Sequence, residues 1–66
     1  MKKFSRGERV EMTTTEAPFY QKGDEAVIIS SKYSPVENEI VYLGIFENTK
    51  EWFFKQSQCK KVEITS

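Results

Sequence analysis

The sequence predicts a single all-β domain, and three observations carry that prediction. First, the apolar residues fall in short runs. Some alternate with polar residues, as in ERVEM and CKKVEI; others are rich in β-branched and aromatic side chains, as in EAVIISS, EIVYLGIF and EWFF. These are the patterns of half-buried and buried strands. Second, glycine and proline are few, three and two in number, and serve mainly as punctuation between the runs. Third, no segment carries the apolar stripe of an amphipathic helix. NTKEWFFKQ holds some helix-forming residues, but Trp52-Phe53-Phe54 within it is a β-type run.

In ERVEM, residues 8–12, Val10 and Met12 share one face while Arg9 and Glu11 share the other. TTTEAPFYQKGD at 13–24 contains a proline and a Gly-Asp pair, and reads as a long loop. EAVIISS at 25–31 is a strand by its β-branched content. KYSPVEN at 32–38, with Pro35 near its middle, is a second loop. EIVYLGIF at 39–46 is the longest strand, ENTK at 47–50 a tight hairpin turn around Asn48, and EWFF the return strand. KQSQ at 55–58 is short enough to be a single 3₁₀ turn. CKKVEI at 59–64 closes the set, with Val62 and Ile64 alternating against Lys61 and Glu63.

Five short strands joined by a long loop, a medium loop, a tight hairpin and a very short link make a distinctive rhythm. It resembles the Src-homology-3-like small barrel. FYQKGDEAVII resembles the F-x-K-G-D-x-G-x-V-I stretch of barrels of the KOW, Tudor and Mind-bomb type, and VYLGIFENTKEWFFKQSQCKKVEI resembles their second half. The likeness runs from Phe4 to Ile64, within a domain drawn over residues 1–66. It implies a five-stranded SH3-like barrel whose first and last strands pair, with the first two loops flanking a ligand groove. Ala26 departs from the usual glycine, Thr49 or Lys50 from the hairpin glycine, and Cys59 from a leucine. The ALYDY signature of proline-peptide binders is absent.

Composition narrows the function. A chain of 66 residues is one small domain, and a domain of this size buries only about 60% of its unfolded surface. Charged residues at 30% with zero net charge suit a globular chain. The single cysteine, Cys59, excludes an internal disulfide and points to a reducing, cytoplasmic setting. MKKFSRGERV lacks the apolar run of a signal peptide, and no stretch approaches the ~20 apolar residues of a membrane span. The absence of histidine removes the usual base of a Ser or Cys nucleophile and argues against zinc. No glycine-rich phosphate loop is present, and Cys59 reads as a small core residue. The expectation is a non-enzymatic protein without cofactor or metal.

EWFF poses the sharper question, because consecutive strand residues point to opposite faces and three rings cannot all enter one core. With Glu47 opposite Lys50 in the turn, Ile45 faces Trp52, Gly44 faces Phe53 and Leu43 faces Phe54. Cross-strand partners share a face. That register assigns Val41, Leu43, Ile45, Trp52 and Phe54 to the core. It leaves Tyr42, Phe46 and Phe53 on the outer face, with Gly44 between them. A one-residue slip of the turn exchanges the faces. Of the loop aromatics, Phe19 is expected beneath its loop as a lid, with Tyr20 and Tyr33 available to a ligand.

The charges are unevenly spread. Residues 1–9 hold Lys2, Lys3, Arg6 and Arg9 against Glu8, a net of +3. Residues 10–51 hold Lys22, Lys32 and Lys50 against eight acids, a net of −5. Residues 52–66 hold Lys55, Lys60 and Lys61 against Glu63, a net of +2. Pairing of the first and last strands would gather the basic ends.

The leading expectation is a protein-binding module, of the kind a small accessory or phage-type inhibitor uses to sit on a larger protein. Phe53, Tyr42 and Phe46 would anchor from the hairpin, joined by Tyr20 and Tyr33. Glu16, Asp24, Glu25, Glu37 and Glu39 would steer a basic partner. The competing expectation is a KOW-like contact with nucleic acid or the ribosome through Lys2, Lys3, Arg6, Arg9, Lys55, Lys60 and Lys61. Homodimerisation through the hairpin face or an open strand edge is a third.

Overall fold

The structure is a computed structural model that describes residues 2–47 and 50–62. Five strands form: β1 (Arg9–Met12), β2 (Glu25–Ser34), β3 (Glu39–Phe46), β4 (Glu51–Lys55) and β5 (Cys59–Lys61). A 3₁₀ turn, Gln56–Gln58, links β4 to β5. All ladders are antiparallel, in one sheet of order β4-β3-β2-β1-β5. The first and last strands pair, as expected. The sheet is open, because no ladder joins β4 to β5 among the described residues.

β2 runs three residues further than its β-branched core predicts. Lys32, Tyr33 and Ser34 pair with Val41, Ile40 and Glu39. The second loop therefore shrinks to residues 35–38, and Asn38 takes the left-handed turn conformation (φ 57°), which Asn tolerates better than most residues. The ladder shifts by one residue between Ile28 and Ser30. That bulge puts the extra residue, Ile29, into β2 and re-aims the second half of the strand. On β5, Val62 continues toward β1 through its N–H to the Arg9 carbonyl (3.4 Å). Glu63 and Ile64 of the expected last strand, and Asn48 of the expected turn, lie outside the described residues.

The long first loop is tied down by its own backbone. Glu16 and Tyr20 bond each other's main chains (2.9 and 3.1 Å), and Met12 closes on Asp24 and Gly23 (2.8 and 2.9 Å). Gly23 supplies the positive φ of 98° that this closure needs.

One face of the sheet is the core. β1 contributes Val10 and Met12, β2 Ala26 and Ile28, β3 Tyr42 and Phe46, and β4 Phe54, all buried. Phe4 from the N-terminal segment closes one end, edge-on to Tyr42 with ring centroids 5.7 Å apart. Cys59 lies in this core as a small apolar residue, and burial pushes its thiol from the usual 9.0 up to about 11. A thiol raised by folding stabilises the fold below the unfolded value and loses that contribution as pH climbs through the folded one. Native protein at pH 8 is expected to resist a thiol reagent such as dithionitrobenzoate and to react on unfolding. Stability should decline between about pH 9 and about 11, with Cys59→Ala flattening that part of the curve. Rapid labelling of native Cys59 would place the thiol outside the core.

Candidate protein-binding face

The β3–β4 ladder decides which aromatics meet solvent. Tyr42 pairs with Phe54, Leu43 with Phe53, Gly44 with Trp52 and Ile45 with Glu51. This is one residue away from the register expected of a turn with Glu47 opposite Lys50, so the faces of β3 exchange. Tyr42 (0% exposed) and Phe46 (5%) lie in the core and cannot anchor a partner. Val41, Leu43 and Ile45, expected inside, lie on the outer face beside Phe53. Phe53 itself is open at 59%. Its exposure agrees with the sequence reading, but its neighbours differ.

Packing around Gly44 explains the choice. The Phe54 ring lies over it, and an added Cβ would meet that ring at 2.7 and 2.9 Å and Ala26 Cβ at 3.2 Å. Gly44 therefore makes room for a core ring rather than a gap on the outer face. The Tyr42 hydroxyl accepts the N–H groups of Lys3 and Phe4 (3.2 and 3.1 Å) and donates to Gln56 Oε1. A phenol buried with its polar end satisfied is well placed in a core.

The loop aromatics also exchange roles. Tyr20 (2% exposed) is the lid, stacked on Phe46 at 5.5 Å between centroids, and burial raises its phenol pKa. Phe19 lies at the surface instead, stacked on the half-buried Trp52 at 3.5 Å. The Glu16–Tyr20 bridge sets this arrangement by holding Tyr20 against the sheet. Tyr33 stays open at 52%, its hydroxyl bonded to Asn38 Oδ1 (2.6 Å).

The outer face thus carries a continuous apolar strip: Val27 opposite Ile45, Leu43 opposite Phe53, then Val41 opposite Lys32 and Lys55. A shallow groove of about 280 Å³ runs along it, lined by Tyr33, Pro35, Val41, Leu43 and Phe53 among others. Lys55 bonds Glu37 (3.0 Å) in a neighbouring depression that shares Val41 and Phe53 with the groove, and that bond raises the lysine's pKa.

The expected charge groups are partly dispersed. Arg9 pairs with Glu25 (3.2 Å), and Lys60 lies opposite Glu11 in the β1–β5 ladder. Lys55 belongs to β4 and Glu37 rather than to the chain ends. Lys2, Lys3, Arg6 and Lys61 are exposed. Of the acids expected to steer a partner, Glu25 and Glu37 hold these cations, Glu39 accepts from Ser57 (3.1 Å), and Asp24 caps Gln21 N–H (2.9 Å). Among the described residues no group of His, Cys, Asp and Glu could hold a metal ion, and no helix is long and apolar enough to cross a membrane.

Val41, Leu43 and Ile45 are the site residues that sequence reasoning missed. EIVYLGIF is apolar on both faces, so alternation cannot choose between them. The available signal was Gly44, which needs a large ring beside it on the crowded face. No family model matches the chain, and no curated protein or solved structure is significantly similar to it.

Proposed function

We propose that this chain is a non-catalytic protein-binding module of the SH3-like type that docks a larger protein on the outer face of β3–β4. The apolar strip around Phe53 carries the proposal. Contiguous exposed apolar surface is uncommon on monomers and usually marks an interaction site, and a few aromatic anchors dominate such interfaces. Phe53 is the anchor, Leu43 and Val41 form the floor beside it, and Tyr33 stands across the groove. The SH3-like reading draws support from the strand order β4-β3-β2-β1-β5, the long first loop and the 3₁₀ link. Lys32 in the groove lining favours a partner with an acid group beside an apolar segment, rather than the basic partner expected from the loop acids; Lys55 is already held by Glu37. A reducing cytoplasm suits its single free thiol.

The test is capture of partners from a nuclease-treated cytoplasmic lysate by wild type and by Phe53→Ala, both shown folded by circular dichroism. Wild type is expected to retain a discrete protein that Phe53→Ala loses at least about tenfold. Equal retention by both, or loss of everything bound on nuclease treatment, would remove the apolar face from the account and leave the basic chain ends.

A further inference from the structure

We propose that β4 is a homodimerisation edge, pairing antiparallel with β4 of a second copy about a two-fold axis at Phe53. This goes beyond partner docking and stands separately from it. β4 is the outer strand of the sheet, with no described strand beyond it. Phe46 N–H donates to the Lys50 carbonyl (2.9 Å). Antiparallel ladders alternate, so Gly44–Trp52 and Tyr42–Phe54 are the next bonded pairs. The main-chain groups of Glu51, Phe53 and Lys55 then point off the sheet edge. Gln58 Oε1 already accepts the Lys55 N–H (2.9 Å), which agrees with that parity; the reciprocal main-chain bonds of the new ladder therefore centre on Phe53, and the Glu51–Lys55 pairs meet chiefly through their side chains.

The residues of this edge are self-complementary. About a two-fold at Phe53, Phe53 faces Phe53, Glu51 faces Lys55 and Lys55 faces Glu51 of the second copy. All three lie on the outer face, so the opposed side chains meet on one side of the joined sheet. An axis at Glu51 or at Lys55 sets like charges together, and an axis at Trp52 or Phe54 leaves both charges without an opposite. Exposed edge strands usually carry lysine against such pairing; here the lysine has a glutamate four residues away on the same strand to face, and pairing means that Lys55 exchanges or shares its exposed bond to Glu37 (3.0 Å) with Glu51 of the second copy. A two-fold of this kind is isologous and closes at a dimer. It also places both Phe53 strips on the same side, as one doubled face.

The experiment is sedimentation equilibrium of the purified full chain at low ionic strength, with Glu51→Lys and Lys55→Glu alone and mixed. Wild type is expected to dimerise weakly, with a dissociation constant below about 1 mM. Each single reversal puts like charges at both pairs and should weaken the dimer about tenfold. An equimolar mixture of the two variants restores both opposite-charge pairs and should form a heterodimer at the wild-type affinity. Circular dichroism of each variant controls for folding, and the mixture rescues only properly folded chains. A wild type monomeric at about 1 mM, reversals without effect, or a mixture that stays monomeric would each overturn the proposal. Phe53 is intact in every sample, so none of these results bears on the partner-docking face.

Discussion

Tyr42→Ala is expected to remove most of the stability of this domain. Tyr42 is fully buried and lies between Phe4 and Phe54. Truncating a buried aromatic costs about 3–5 kcal/mol. A chain of this length is stable by roughly 3–10 kcal/mol, at the usual values of about 0.05–0.15 kcal/mol per residue. Tyr42→Phe isolates the hydroxyl: the buried Phe4 N–H loses its acceptor, at a cost of about 1–3 kcal/mol. Leu43→Ala, one residue along on the outer face, is expected to cost about 1 kcal/mol or less. Urea titration followed by Trp52 fluorescence measures all three. A Leu43→Ala cost larger than that of Tyr42→Ala would exchange the two faces of β3 and return Tyr42 to the surface.

Gly44→Ala provides an independent test with a difference in sign. On the outer face the new methyl group would be neutral, or would stabilise by about 0.4–1 kcal/mol through a stiffer unfolded chain. On the core face it meets the Phe54 ring at 2.7 and 2.9 Å, and overpacking of that kind costs about 1–3 kcal/mol. Gly44→Val should cost more. The expected outcome is a lower urea midpoint with an unchanged slope. A raised midpoint would contradict the observed register, and with it the identity of every residue in the proposed binding strip except Phe53.

The three rings of EWFF divide between core and surface. Phe54 enters the core, Trp52 is half-buried under Phe19, and Phe53 remains outside. Alternation alone predicts that one ring must leave, and the apolar neighbours of Phe54 make Phe53 the better candidate. Its companions were a different matter. Val41, Leu43 and Ile45 look like core because they are aliphatic, whereas Tyr42 carries a hydroxyl and looks like surface. The hydroxyl is in fact satisfied inside by the N-terminal segment and Gln56, contacts made by residues 38 and 14 positions away in sequence. Sequence patterning has no access to such partners.

Local signals in the chain were enough for the all-β class, the order and approximate limits of five strands, the 3₁₀ link, and the single exposed ring of EWFF. Alternation, β-branched content and the placement of Pro and Gly carry that much. Four features emerged only on folding: the hairpin register, the bulge at Ile29, the exchange of Phe19 and Tyr20, and the dispersal of the charges among ion pairs. All four depend on groups brought together from distant parts of the chain. The register shows why most plainly. A strand apolar on both faces has two nearly equivalent ways to sit in a sheet. The choice between them is made by what lies across it: the Phe54 ring over Gly44, and Phe4 against Tyr42.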